Sequence, residues 1–235
     1  MICKNCGNTF EGNYCSNCGQ PAETHAIDMH FVAHDLRHGL FHVDGGIFYS
    51  ARELFSRPGH AVRDYLEGKR IQHYKPISML IVLASFYGLF YHALGINIFN
   101  AKTDHLFDYS EINEWIIHHF SIITLLILPI ASLTSFLIFR KQGYNFTEHV
   151  ILNSFYSCQK LWVRIFALPL FLLVKDSGAF MEWLLLPDLV LMLWCYMQFF
   201  NKLPKLKAFI LTLLVAVITL LLVAIISTVI LFLVL

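Results

Sequence analysis

Four cysteines fall within the first eighteen residues, as Cys3-x2-Cys6 and Cys15-x2-Cys18. Two Cys-x2-Cys pairs supply four thiolates at the spacing of a tetrahedral metal site, and four sulfur ligands leave no open coordination position, so the expected role is structural. The local text repeats as CKNCG and CSNCG. Gly7 and Gly19 follow the second cysteine of each pair, where positive φ turns backbone N–H groups toward sulfur. Asn5 and Asn17 tolerate similar turn geometry. Two disulfides in an oxidising compartment, a redox Cys-x-x-Cys or an iron–sulfur cluster would use the same residue type. The reading adopted is one structural Zn2+ per chain in a ribbon covering 1–22, too small to fold on a buried core alone. Reduced thiols imply that this end faces the cytosol.

A second group with chemical potential is His30, His34, Asp35, His38 and His42, four imidazoles recurring every fourth residue. On a helix this spacing brings adjacent histidines to one side, as metal-binding pairs require. No His-Glu-x-x-His arrangement is present, so a zinc-protease reading fails. The segment reads either as a second metal site or as a polar stripe at a membrane surface. Downstream, Arg57, Arg63, Lys69 and Arg70 form a basic set suited to a phosphate or lipid headgroup. A third group, Asn153, Gln159, Lys160, Arg164 and Asp188, lies inside apolar segments. There ionisable side chains are costly, mark functional sites by default, and pair where they can. Asp188 is the expected partner of Lys160 or Arg164. His118-His119 resembles a fragment of a membrane di-iron box, but it falls on the opposite face from His30–His42 and cannot share a metal pair with it. Cys158 and Cys195, alone in apolar segments, read as small packed hydrophobes.

The elements that must carry these groups are mostly membrane spans. The 235 residues are 57% apolar and 14% charged, with net charge +1 and mean hydropathy +0.61. Near-neutral charge without a basic surface excludes nucleic acid as a main partner. Five spans are expected, at about 76–99, 115–139, 149–174, 180–200 and 208–235, each long enough for roughly 30 Å of hydrocarbon. Short amphipathic helices at 47–55 and 61–66 precede them, in a His- and Arg-rich interfacial stretch spanning 23–75. The first long apolar stretch begins after residue 75, so no cleavable signal peptide is expected. Loops carrying Lys69, Arg70 and Lys75, then Arg140 and Lys141, then Lys202, Lys205 and Lys207 alternate with acidic or neutral ones. The positive-inside rule therefore puts the N-terminus in the cytosol and the C-terminus outside. The 149–174 span carries Lys160 and Arg164, so it must be wrapped by its neighbours.

The head, followed by HDLRHGLFHVDGGIFYSARELFSRPGHAVRDYLEGKRIQHYKPISML, resembles a bacterial family of polytopic membrane proteins of unknown function with an N-terminal four-cysteine zinc ribbon. The positions carrying the resemblance are His34, Asp35, His38, Asp44, Gly46, Leu54, Pro58, Gly59, Tyr65, Gly68, Lys69, Arg70, Tyr74 and Pro76. It covers about the first eighty residues. Beyond them only hydropathy and the polar run 153–160 correspond. The resemblance implies the layout and no activity.

The expected protein is all-α: a multi-span helical bundle of an inner membrane, with a zinc ribbon and an interfacial amphipathic segment at its cytosolic end. The expected role is binding, scaffolding or transport, with membrane lipid and a cytosolic protein as partners. The competing role is an interface enzyme acting on a phosphate-bearing lipid through His34 and His38, with Arg63, Lys69 and Arg70 gripping the phosphate.

Overall fold

The computed structural model of the chain describes residues 1–24, 27–28, 46–95, 110–171, 173–174 and 177–234. Among these residues regular structure is helical, apart from two isolated bridges that pair Ile2 with Thr9 and Tyr14 with Pro21. The helices are α1 (Gly46–Ser56), α2 (Pro58–Leu66), α3 (Pro76–Ala93), α4 (Ser110–His118), α5 (Phe120–Phe139), α6 (Phe146–Phe171), α7 (Ser177–Trp183), α8 (Leu185–Phe199) and α9 (Lys205–Val234), with a 3-10 turn at Arg140–Gln142. Proline starts α2 and α3, at the first helical position where its missing N–H costs nothing and its φ is already set. The α2 end is a Schellman turn. Gly68 sits at φ 104°, its N–H donates to the Tyr65 carbonyl, and the Lys69 N–H donates to the Asp64 carbonyl.

Among the described residues, four helical stretches are long and apolar enough to cross a membrane: Pro76–Ala93, Phe120–Gln142, Phe180–Phe199 and Lys205–Val229. The third joins the end of α7 to α8 across a turn at Leu184. The expected 149–174 span is occupied by α6. Its 26 residues make a rod of about 39 Å, and its polar side chains keep it out of that apolar set. It packs against α3, α5, α8 and the juxtamembrane helices α1 and α2, and its first turns, from Thr147 to Phe155 except Glu148, are buried. The neighbours thus replace lipid around this polar helix. The last helix is its opposite: 11% of the α9 window is buried, against 56% for α3. Leu206, Ile210, Leu214, Val217 and Leu221 are exposed, as a lipid-facing helix requires.

The two juxtamembrane helices pack on protein more than the amphipathic pattern predicts. Val62 and Tyr65 of α2 and Leu54 of α1 are buried in the main core, while Phe48 and Phe55 stay exposed. The reason for α2 is Gly59. A Cβ there would stand 2.3 Å from the Phe199 nitrogen and 2.4 Å from the Cys195 carbonyl oxygen, so only glycine lets α2 cross the α8 backbone this closely.

Candidate metal centre and buried polar sites

The head is a tandem repeat at a twelve-residue offset. In the first copy Cys3 N–H donates to the Asn8 carbonyl and Gly7 N–H to the Cys3 carbonyl. In the second, Cys15 N–H donates to the Gln20 carbonyl and Gly19 N–H to the Cys15 carbonyl, all at 2.9 Å. Gly7 and Gly19 take φ 73° and 74°. Each copy thereby folds its cysteine pair into a knuckle, and the two knuckles face each other. All four Sγ atoms lie within 4.8 Å of one another; Cys3–Cys18 and Cys6–Cys15 are 3.6 Å apart. A tetrahedral thiolate site has sulfurs ~3.8 Å apart, whereas a disulfide needs about 2.05 Å. The Asn8 N–H, with Asn17 assisting, holds the Cys6 thiol down to about 6. The Gln20 N–H favours a Cys18 thiolate too, yet burial and the sulfurs of Cys6 and Cys3 push it up to about 11. Four thiolates this close repel one another, and a shared cation is what lets all of them ionise.

Gln20 joins the head to the membrane helices. Its side chain is 2% exposed. Its Nε2 donates to the Gly68 carbonyl at 2.9 Å, and its Oε1 accepts from the Ile71 N–H at 2.9 Å and the Arg70 N–H at 3.4 Å. Lys4 Nζ donates to Thr24 Oγ1 at 2.8 Å beside the same turn. A Cβ on Gly68 would meet Thr24 Oγ1 at 2.7 Å. The Schellman turn of α2 is therefore also the docking ledge of the head.

The four basic residues expected to meet a phosphate all have partners within the protein. Arg57 pairs with Glu53 at 2.6 Å and Asp64 at 3.0 Å, and Lys69 with Asp64 at 2.5 Å. Burial works against the Asp64 carboxylate, but Lys69 and Arg57 outweigh it and hold the group below its usual range. Arg63 donates to the carbonyls of Gln198 and Phe199, the latter at 2.8 Å, capping the C-terminus of α8 where orphan carbonyls and the helix dipole favour a cation. Arg70 Nε donates to the Tyr65 carbonyl at 3.0 Å, with its guanidinium 5.4 Å from the Tyr65 ring. In the same region His73 is buried against Tyr49, Tyr65 and Phe155, and burial pushes it down to about 4.

Within the bundle, Arg164 Nη2 meets Asp188 Oδ2 at 2.5 Å, with only 13% and 10% of the two side chains exposed. Tyr156 Oη donates to the Asp188 main-chain carbonyl at 3.0 Å. Lys160 lies 5.9 Å from the Tyr156 ring centre. Gln159 Nε2 instead donates to the Leu54 carbonyl at 2.8 Å, tying α6 to α1. Asn153 belongs to a different cluster, which sequence reasoning missed. Its Nδ2 donates to Ser135 Oγ at 3.0 Å and its Oδ1 accepts from Tyr196 Oη at 2.8 Å. Ser135 Oγ lies 2.9 Å from His149 Nδ1. The signal that could have found it is His149–Asn153 at i, i+4, facing Ser132–Ser135 at i, i+3. This network, buried on α5, α6 and α8, satisfies Asn153, Ser135, Tyr196 and His149 Nδ1, leaves His149 Nε2 without a partner, and so fixes how those helices register.

His30, His34, Asp35, His38 and His42 lie outside the described residues. On the far side of the bundle His118 meets His92, with ring centres 4.8 Å apart, and His119 stacks on Trp115. Cys158 and Cys195 are fully buried.

Residues 44–88 match a family model described as "Protein of unknown function (DUF3667)", which spans α1, α2, the docking ledge and most of α3. Comparison with curated proteins and with solved structures returned no match. Apolar helices and a four-cysteine cluster thus define an all-α protein of membrane type with a thiolate site at its N-terminus.

Proposed function

We propose that this chain is an inner-membrane binding or scaffolding protein whose cytosolic head holds one structural Zn2+ through Cys3, Cys6, Cys15 and Cys18. The observation that carries this reading is the convergence of four sulfurs, none disulfide-bonded, in a head locked to the juxtamembrane helices by Gln20. Zinc closes such a tetrahedron and supplies folding energy, with no position left for substrate. A head held this firmly presents a fixed surface, together with the exposed face of α1, to a cytosolic protein or to lipid headgroups. α6 serves as a fifth crossing shielded by α3, α5 and α8, which keeps the two termini on opposite sides. The alternative of a lipid-phosphate enzyme has less support, because Arg57, Arg63, Lys69 and Arg70 already have internal partners.

Metal analysis of the purified full-length protein tests the reading. One zinc per chain is expected, falling to none in Cys3→Ser/Cys6→Ser. That loss removes a binding free energy on the order of 10 kcal/mol from the head, so protease should then cut between residues 1 and 24 while the bundle survives. An iron chromophore, a disulfide in that head, or labelling of its thiols by an impermeant reagent added outside intact cells would refute it.

A further inference from the structure

The Phe139 and Phe200 rings stack face to face with centres 3.9 Å apart. Tyr144 packs on the same contact, 4.5 Å from the Phe199 ring and 5.9 Å from the Phe200 ring. These rings hold the turn from α5 to α6 beside the turn from α8 to α9, at the end of the bundle where Arg63 caps α8. Arg140 and Lys141 lie on the first turn, Lys202 on the second, and Lys205 and Lys207 in the first turn of α9; all five are exposed. Among the described residues no side-chain ion pair or hydrogen bond engages any of them. The nearby acids are Glu148, which accepts from the Asn145 N–H at 2.7 Å, and Asp28, whose neighbour Ile27 takes Asn145 Nδ2 on its carbonyl at 3.3 Å. Cations therefore outnumber carboxylates here. The first turn of α9 holds no acid, and Pro204 before it has no side-chain acceptor, so its leading N–H groups are open to an anion. Beside the cations, Leu133 and Leu137 of α5 and Leu206 and Ile210 of α9 are exposed. Ala208, Thr212 and Val215 are buried on the side of α9 that packs on α5 and α8.

We infer that the two adjoining turns form a binding site for the headgroup of an anionic phospholipid, held by Arg140, Lys141, Lys202, Lys205 and Lys207. Charge supports it first, because unpaired Lys and Arg at a membrane surface attract anionic lipid, each adding to the attraction. The open start of α9 supports it second, by offering main-chain N–H groups and the positive end of a helix dipole to the same phosphate. Apolar surface decides between a lipid and a soluble phosphate. Leu206 is 71% exposed between Lys205 and Lys207, and Ile210, Leu214 and Val217 continue the exposed side of α9. A phosphate on the lysines thus has a path along α9 for its acyl chains, while the lysine stems cover apolar surface and lift their ammonium groups to the headgroup. The positive-inside rule accounts for basic residues on these loops; it does not require that folding leave them side by side and unpaired. Arg57, Arg63, Lys69 and Arg70, the basic set that reads as a headgroup site in the sequence, are engaged within the protein. The inference rests on the membrane placement proposed above and names the lipid class that placement would meet; it does not depend on the zinc head.

The test is native mass spectrometry of the full chain in neutral detergent, with phosphatidylglycerol or phosphatidylcholine titrated in. Phosphatidylglycerol should bind at least about twentyfold more tightly than phosphatidylcholine. Lys202→Gln/Lys205→Gln should remove most of that preference, roughly fivefold for each lysine lost. Arg140→Gln/Lys141→Gln, on the other turn, should do the same. Lys202→Arg/Lys205→Arg should keep the preference, as should Lys69→Gln, whose ammonium is engaged at the clamp. The unfolding midpoints of the Gln variants at the two turns should match the parent, since the replaced side chains hold no contact within the protein. Equal affinity for the two lipids would overturn the inference, and so would a preference that survives both double variants. Loss of the preference in Lys69→Gln would move the site to the clamp and overturn it too. Competition by millimolar inorganic phosphate would make the ligand a soluble anion, with the same result. One zinc per chain alongside equal lipid affinities would sink this inference and leave the reading of the head standing.

Discussion

Two clusters of charge stand at opposite ends of the helices they tie together, and they are solved differently. At the juxtamembrane clamp, Arg57 and Lys69 face Glu53 and Asp64, two cations to two carboxylates, and their cationic side chains are 46% and 40% exposed. The extra cations, Arg63 and Arg70, are placed on main-chain carbonyls. In the bundle Arg164 has one carboxylate and is only 13% exposed, while the nearby Lys160 contacts an aromatic ring. Water and helix ends absorb surplus charge at the membrane surface. Neither is at hand between α3, α6 and α8, so each charge there depends on its partner.

Asp188→Asn is expected to have the largest effect, because it leaves Arg164 buried without a counter-charge; losses of this kind run to roughly 3–5 kcal/mol. Asp64→Asn should cost about 1 kcal/mol, the ceiling for pairs whose cations are solvated. Unfolding of both variants in the same lipid gives the ratio. Equal costs would erase the distinction between the two clusters. Arg164→Met/Asp188→Leu should recover most of the stability, since replacing both partners removes the orphan as well as the pair.

The clamp has its own liability in His73, which is buried against neutral rings, with Glu53 and Asp64 offsetting only part of the cost of burying its charge. Its pKa drops from 6.5 to about 4 in the fold. As pH falls below 6.5 the unfolded chain takes up a proton that the folded protein refuses, so stability is lost between about pH 6.5 and 4. The full loss is roughly 3 kcal/mol at 1.36 kcal/mol per pH unit. Asp64, held below its normal range, adds a further loss at lower pH. His73→Phe keeps an aromatic ring against Tyr49, Tyr65 and Phe155 and should flatten the first limb while leaving the second. Denaturation of parent and variant from pH 7 to about pH 2 separates the two limbs; curves that stay parallel above about pH 4 would show that His73 is protonated in place.

Much of the layout was legible because it rests on local chemistry. The cysteine knuckles follow from spacing and two glycines, the starts of α2 and α3 from proline, and the apolar spans from composition. The helix at 149–174 was legible as one needing cover because Lys160 and Arg164 make it too polar for lipid. What was not legible depended on partners far apart in the chain. Arg63 reads as a phosphate ligand on α2, and only the approach of α8, permitted by Gly59, turns it into a helix cap. Gln20 lies inside the expected ribbon of 1–22 without a role of its own, and only the turn at Gly68 reveals it as the docking pin. Ser135 and Tyr196 carry no signal alone, since a serine or tyrosine in an apolar helix satisfies itself in many ways. Val62 and Tyr65 show the same limit: an amphipathic pattern gives the apolar face and says nothing about whether lipid or protein covers it.

Arg63 also supplies the finest test of the contrast between clamp and bundle. If its role is to cap α8, Arg63→Met should lower stability by about 2 kcal/mol, the range for hydrogen bonds involving a charged group, and should do so equally in zwitterionic and anionic vesicles. Arg63→Lys should retain part of the loss, since one ammonium can reach a carbonyl but lacks the planar fork that meets two. A headgroup role predicts another pattern, with stability and binding falling only where anionic lipid is present and the deficit shrinking as salt screens the surface. The capping geometry favours the first pattern, because the Gln198 and Phe199 carbonyls at the end of α8 have no helical N–H ahead of them to accept from. A salt-insensitive, lipid-independent cost would therefore keep Arg63 among the groups that hold the clamp to the bundle, and a lipid-dependent one would move it to the membrane surface.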